Sequence, residues 1–219
     1  MFFLPFSILL LLALLFILLP LFLLLLQIEL VRVALGRIGL SPAAAFFILL
    51  GSLAGSAVNI PVCIRRVPGA AGLPDCFFLL APFGLPEVAG RQIIAVNLGG
   101  CVIPLLLCLY LLPRTPFLPV FFATAISTVV CFNLSRVVPG IGVQIPAFIP
   151  PIVSVALAWL FSPCNKIPVA YISGVLGVLI GADILNLPSL GTVPGVMSIG
   201  GAGVYDGIFL VGIISALLA

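Results

Sequence analysis

The sequence predicts an all-α, polytopic transmembrane helix bundle of about seven spans, with at least one Pro/Gly-broken or re-entrant segment. Three observations carry that expectation. Of 219 residues, 64% are hydrophobic and only 6% are charged, whereas a soluble domain carries roughly a quarter charged residues. The apolar residues gather into runs near spanning length, divided by turns rich in Pro, Ser and Asn. The stretch Pro139–Pro151 holds four prolines and no charge. It suits neither a regular helix nor a water-facing loop, so burial at membrane depth is expected.

Phe2–Leu26 is an almost unbroken apolar run, longer than a hydrocarbon core of about 30 Å requires. It has no basic leader region and exceeds a signal h-region, so it reads as a retained helix. Gln27–Leu40 places Glu29, Arg32 and Arg37 at helical spacing and reads as interfacial. Residues 1–40 are thus one unit, an N-terminal transmembrane helix plus an interfacial segment. Residues 41–219 are the membrane-embedded helical domain that carries the polar motifs.

Ser41-Pro42 is a helix start, with Ser as N-cap and Pro at the first helical position. The second span runs Pro42–Asn59, and Gly51 and Gly55 give it a small-xxx-small face. A long connection, Ile60–Gln92, carries Arg65, Arg66, Asp75, Glu87 and Arg91. The third and fourth spans are Ile93–Leu112 and Phe117–Leu134, joined by a tight Pro113–Pro116 turn. The fifth, Ile152–Phe161, is short unless it borrows from Ile145 onward. The sixth and seventh are Pro168–Leu185 and Val204–Ala219.

Counting spans places the polar residues. The connections after spans two, four and six return to the face on which the chain starts. Asn59, Asn97, Asn133, Asp183 and Asp206 all fall toward that face, face A. The opposite face, face B, carries Glu29, Arg32, Arg37, Arg114 and Lys166. Lys and Arg divide four to four, but the loops of face B are shorter, which favours face B as cytoplasmic.

The chain has no histidine, so zinc hydrolysis and Ser-His-Asp catalysis are not expected, nor is any metal or cofactor. The net charge of +3 is dispersed, which argues against nucleic acid as a partner. The expected partners are the lipid bilayer and a small cation, a proton or a small solute. Cys101, Cys108 and Cys131 sit in apolar runs as packing residues. Cys63 and Cys76 share one loop and pair only in an oxidising compartment.

Asp183 and Asp206 are the main site candidates, because an ionisable group within a membrane segment costs about 3 kcal/mol or more. Asp183 follows a Gly177-x-x-x-Gly181 face that lets a neighbouring backbone approach. Its structural alternative is to cap a helix or to pair with Arg136. Asp206 follows Gly200-Gly201-Ala202-Gly203, at a helix start whose dipole favours a carboxylate. Asn59, Asn97 and Asn133 read as interhelical hydrogen-bonding residues or as ligands, and Tyr205 as an interface anchor or a site residue. Gly181, Gly200, Gly201, Gly203, Pro139, Pro146, Pro150 and Pro151 shape the backbone around them.

The motifs GSAVNIPV (within 51–62), VNLGGCVIP (96–104), RVVPGIGVQIPAFIPP (136–151), LIGADILNL (179–187) and SIGGAGVYDGIFL (198–210) resemble a family of prokaryotic multi-pass membrane proteins catalogued as domain of unknown function 1614. The resemblance covers most of the chain after residue 40. It implies a membrane-embedded fold centred on these motifs and a prokaryotic cytoplasmic membrane, and implies no activity. A looser similarity is to presenilin-like diaspartyl intramembrane proteases. Tyr205-Asp206 matches their YD motif, Gly181-Ala182-Asp183 part of their GxGD motif and Pro146-Ala147-Phe148 part of their third. Here the order is reversed and the glycine before Asp183 is missing.

The expected function is transport of a small solute, cation or proton, at a site built on Asp183 and Asp206 with the three asparagines, where broken helices aim backbone groups at a ligand. A diaspartyl intramembrane protease is the alternative, with Asp183 and Asp206 as its catalytic pair. A non-catalytic membrane scaffold or assembly factor is the third reading.

Overall fold

The computed structural model of the protein describes residues 6–66, 91–138, 142–190, 195–201 and 203–219. Among the described residues seven α-helices form: α1 (Phe6–Arg37), α2 (Pro42–Gly55), α3 (Ile103–Leu111), α4 (Phe117–Leu134), α5 (Ile149–Phe161), α6 (Lys166–Val178) and α7 (Gly207–Leu218). Three helical stretches are long and apolar enough to cross a membrane: 13–37, 117–134 and 163–184. Those at 42–55, 98–114, 149–161 and 207–218 are apolar but shorter.

The centre of the bundle is α6. It is apolar or small on every side, which suits a helix enclosed by others, and Val169–Val175 are all buried. Its glycines set the distances to its neighbours. A methyl group at Gly177 would lie 2.2 Å from Ser127 Oγ, and one at Gly181 would lie 2.4 Å from the Thr128 carbonyl, so α4 packs backbone to backbone on that side. On another side, Gly174 faces Val211 of α7 and a buried pair, Ser154 Oγ and Ser215 Oγ, 2.7 Å apart. Tyr171, fully enclosed, fills the space left by Gly212.

The first helix continues through Arg37 without a break. The stretch expected to be interfacial is its last turns. Val31, Ala34 and Leu35 bury there, and Glu29 pairs with Arg32 on the exposed side. Ser41 caps α2 as expected, its Oγ accepting from the Ala44 N–H at 3.2 Å, with Pro42 in the first turn. Arg37 donates to the Leu217 carbonyl, so the C-terminal ends of α1 and α7 meet.

The fold is mainly helical, but not all-α: five short strands form among the described residues. β1 (Asn59–Arg66), β2 (Arg91–Asn97) and β5 (Gly195–Ile199) make a sheet in the order β1-β2-β5, antiparallel then parallel. β3 (Arg136–Val138) and β4 (Gly142–Gln144) make a hairpin. The sheet corrects the third span. Ile93–Val96 was expected to begin a helix, yet these largely β-branched residues pair as strand. Asn97 then stops the strand and caps a π-helical turn, Leu98–Val102, that leads into α3. The hairpin corrects the re-entrant helix expected over 139–151. Its described part pairs its backbone as strands, Pro146 is exposed, and Pro150 and Pro151 open α5, where a missing N–H costs nothing. Pro139 lies outside the described residues, as do Asp75, Cys76 and Glu87.

Candidate functional site

The site lies where strands and helix ends converge. Helix α6 ends in a π-helical stretch, Leu179–Ile184, that contains Asp183. A π stretch carries an extra residue per turn and so re-aims the residues beyond it. Asn186 closes this end: its Nδ2 donates to the carbonyls of Gly181 (3.1 Å) and Ala182 (2.8 Å) and to Ser135 Oγ (2.8 Å). These bonds satisfy carbonyls that a helix end leaves without partners. The chain then passes through a 3-10 turn (Leu187–Leu190) and β5 to the glycine stretch.

Gly200 and Gly203 hold φ of +74° and +62°, a conformation open to glycine. They also carry close contacts. A methyl group at Gly100 would lie 2.2 Å from the Gly200 carbonyl, and one at Gly203 would lie 2.3 Å from Ser56 Cβ. The glycines therefore dock the start of α7 against the end of α2 and the π-helical turn after β2. Asp206 is the N-cap of α7, one residue before the helix, and its Oδ1 accepts from the Ile208 N–H at 2.9 Å.

Asp183 and Asp206 line one cavity of about 350 Å³, together with Ile94 of β2, Gly142 and Val143 of β4, Leu187, Leu190 and the run Val196–Gly201. Each carboxylate lies within electrostatic reach of the other and of Cys101. Among the described residues the single ion pair is Glu29–Arg32, so Asp183 does not pair with Arg136.

The asparagines do other work. Asn97 is fully buried. Its Oδ1 accepts from the N–H groups of Gly99 and Gly100, and its Nδ2 donates to the Ser56 carbonyl and to Asn59 Oδ1. Asn59 Oδ1 also accepts from Ser198 Oγ at 2.5 Å. This network ties the end of α2 to β2 and β5 behind the cavity wall. Asn133 is exposed and bonds the Val129 carbonyl of its own helix. None of the three lines the cavity. Tyr205 ends a 3-10 turn, Gly203–Tyr205, beside Asp206. Gly181 packs on α4, while Gly200 and Gly201 are part of the cavity wall.

Sequence reasoning missed Ser198, Asn186 and the strand β5. A signal was present for β5: Val-Met-Ser-Ile between glycines is a short β-prone run bounded by turn residues. Among the described residues no group of three or more Cys, Asp or Glu could hold a metal ion.

Fold and cavity together define a class: a helical protein with membrane-length apolar helices and a two-carboxylate recess where its strands and helix ends meet. The family model described as protein of unknown function (DUF1614) matches residues 53–218, and the chain belongs to that family. The match begins within α2, so α1 precedes it. No curated protein and no solved structure matches the chain.

Proposed function

We propose that the chain is a multi-pass protein of a prokaryotic cytoplasmic membrane, crossing it seven times, in which Asp183 and Asp206 work as one acid pair. The observation that carries this reading is that both carboxylates line one cavity. The reaction that such a pair supports best is hydrolysis of a peptide bond. One carboxylate takes a proton from water as the water oxygen attacks the carbonyl carbon. The other, protonated, gives its proton to the amine as the C–N bond breaks. The glycine-rich turn brings the second aspartate to the first and leaves main-chain groups beside them.

Transport of a proton or small cation is the second reading. It is favoured by one observation, the π-helical interruption at Asp183, because discontinuous helices recur at ion sites. It is weakened by the asparagines, which are engaged in holding elements together, and by the tightly packed core of α5, α6 and α7.

One experiment separates the two. The full chain is purified in detergent and also reconstituted into liposomes. Cleavage of a model transmembrane peptide is measured in the first, proton and cation flux in the second. Hydrolysis predicts cleavage that falls at least 100-fold in both Asp183→Asn and Asp206→Asn. Flux that depends on both aspartates, with no cleavage, would replace hydrolysis by transport. Neither activity in a folded sample would leave the scaffold reading.

A further inference from the structure

Away from the two aspartates, α2 and α3 touch at one end and part at the other. Near the strands the contact is close. Ser52 Oγ donates to the Gly99 carbonyl at 2.6 Å, and a methyl group at Gly99 would collide with the Ser52 carbonyl. Beside this contact, a methyl group at Gly51 would lie 3.6 Å from Ile103 Cδ1. Toward the start of α2 the packing opens. Phe47 and Ile48 on one side, and Leu106, Leu107 and Tyr110 on the other, bound a cavity of about 400 Å³. Ile103 lines it too and marks its closed end. The cause lies in the residues. Gly51, Ser52 and Gly55 are small enough for α2 to meet its neighbour at one end. Phe47, Leu106 and Tyr110 are bulky and hold the helices apart at the other. Leu107 is buried and floors the groove, while Phe47, Leu106 and Tyr110 are exposed at its mouth.

The open end carries a charge. Arg114 closes the turn after α3, and its guanidinium lies over the Tyr110 ring, 4.0 Å from the centroid. Among the described residues the single ion pair is Glu29–Arg32, so no carboxylate there neutralises Arg114. Tyr110 therefore joins an apolar slot to a cation.

We propose that this groove holds one anionic phospholipid, with an acyl chain between α2 and α3 and its phosphate at Arg114. An acyl chain fills an apolar slot without burying an unpaired polar group. A planar guanidinium matches the oxygens of a phosphate. A zwitterionic lipid carries its own cation and gains less at Arg114. A polar solute would leave the slot unmatched. The proposal rests on the membrane placement proposed above and is independent of the acid pair.

The full chain in detergent is titrated with phosphatidylglycerol and with phosphatidylcholine of identical acyl chains, and bound lipid is counted by native mass spectrometry. One basic side chain favours an anionic lipid by about fivefold, so the first phosphatidylglycerol should bind about fivefold more tightly than the first phosphatidylcholine. Arg114→Gln should abolish the preference, and Arg114→Lys should keep it. Leu106→Trp, which fills the mouth of the groove, should weaken both lipids by about fivefold or more. Both positions are exposed, and thermal unfolding checks that each variant is folded. No preference in the native chain, a preference that survives Arg114→Gln, or binding unchanged by Leu106→Trp would each overturn the lipid site. A dimer that Leu106→Trp dissolves, with no lipid preference, would give the groove to a second copy of the chain. Release of the chain from membranes by alkaline carbonate would overturn the membrane placement itself. Retention without lipid preference would overturn the lipid site alone.

Discussion

Asp206 caps α7 and, in the proposed function, belongs to the acid pair; the two roles separate by substitution. As an N-cap it needs an acceptor oxygen at the Ile208 N–H. Asparagine keeps that oxygen, while alanine removes it at a cost of about 1 kcal/mol. Asp206→Asn should therefore unfold within a degree or two of the native chain in detergent, whereas Asp206→Ala should be clearly less stable. Both should lose activity. Equal destabilisation by Asn and Ala would mean that the charge, not the cap, holds this helix start. Asn97 has no such latitude, with both ends of its amide bonded and no exposure. Asn97→Ala strands several buried partners, each worth about 1–3 kcal/mol when left unsatisfied. Loss of at least about 3 kcal/mol, or of the folded protein in size-exclusion chromatography, is expected. At Gly181 a methyl group meets backbone that cannot step aside. Gly181→Ala should cost about 1–3 kcal/mol by overpacking, and thermal unfolding checks it.

At the scale of elements, the strands carry the new information. Pairing of β2 with β5 brings Ile93 opposite Val196 and Ile94 opposite Met197. A one-residue slip would move every side chain to the other face. With native cysteines replaced, Ile93→Cys with Val196→Cys should form a disulfide under mild oxidant, and Ile93→Cys with Met197→Cys should not. The reverse result would place β5 out of register and turn the cavity wall around. The helices were legible because their signals are local. Ser41-Pro42 states its own cap, and a small-residue face such as Gly177-x-x-x-Gly181 announces a close neighbour. The strands were not, because Ile93–Val96 is apolar enough to continue the helix beyond it. Only the partner strands, remote in sequence, decide between the two states.

For the whole molecule, the proposed seven crossings have a directional consequence. Arg37 at the end of α1 bonds the end of α7. Arg114 and Lys166 lie in the turns before α4 and at the start of α6, over the rings of Tyr110 and Trp159 at 4.0 and 3.5 Å. Basic and aromatic residues of this kind anchor a helix end at a membrane surface. Cys164, exposed, sits in the turn before Lys166, and Cys63 sits in β1, after α2. With seven crossings the two lie on opposite sides. In oriented vesicles an impermeant maleimide should label Cys164 from the cytoplasmic side and Cys63 from the other. Labelling of both from one side would require a different number of crossings.

The amino-acid sequence by itself determined the medium and the suspects. An apolar chain with so few charges is suited to lipid, and in such a chain the two aspartates in the last apolar segments stand out as site candidates. Counting apolar runs also placed both aspartates toward one face, and both line one cavity. The tertiary structure decided what surrounds them. Asn59 and Asn97, equal to the aspartates by position, turned to bond groups of neighbouring elements, and those partners are set by packing across remote segments. The glycines before Asp206 proved to be contact points for Gly100 and Ser56, more than 90 residues away. Among the described residues, β5 is held as a strand by β2 alone. Strand pairing is a property of a sheet, and no single stretch of sequence contains it.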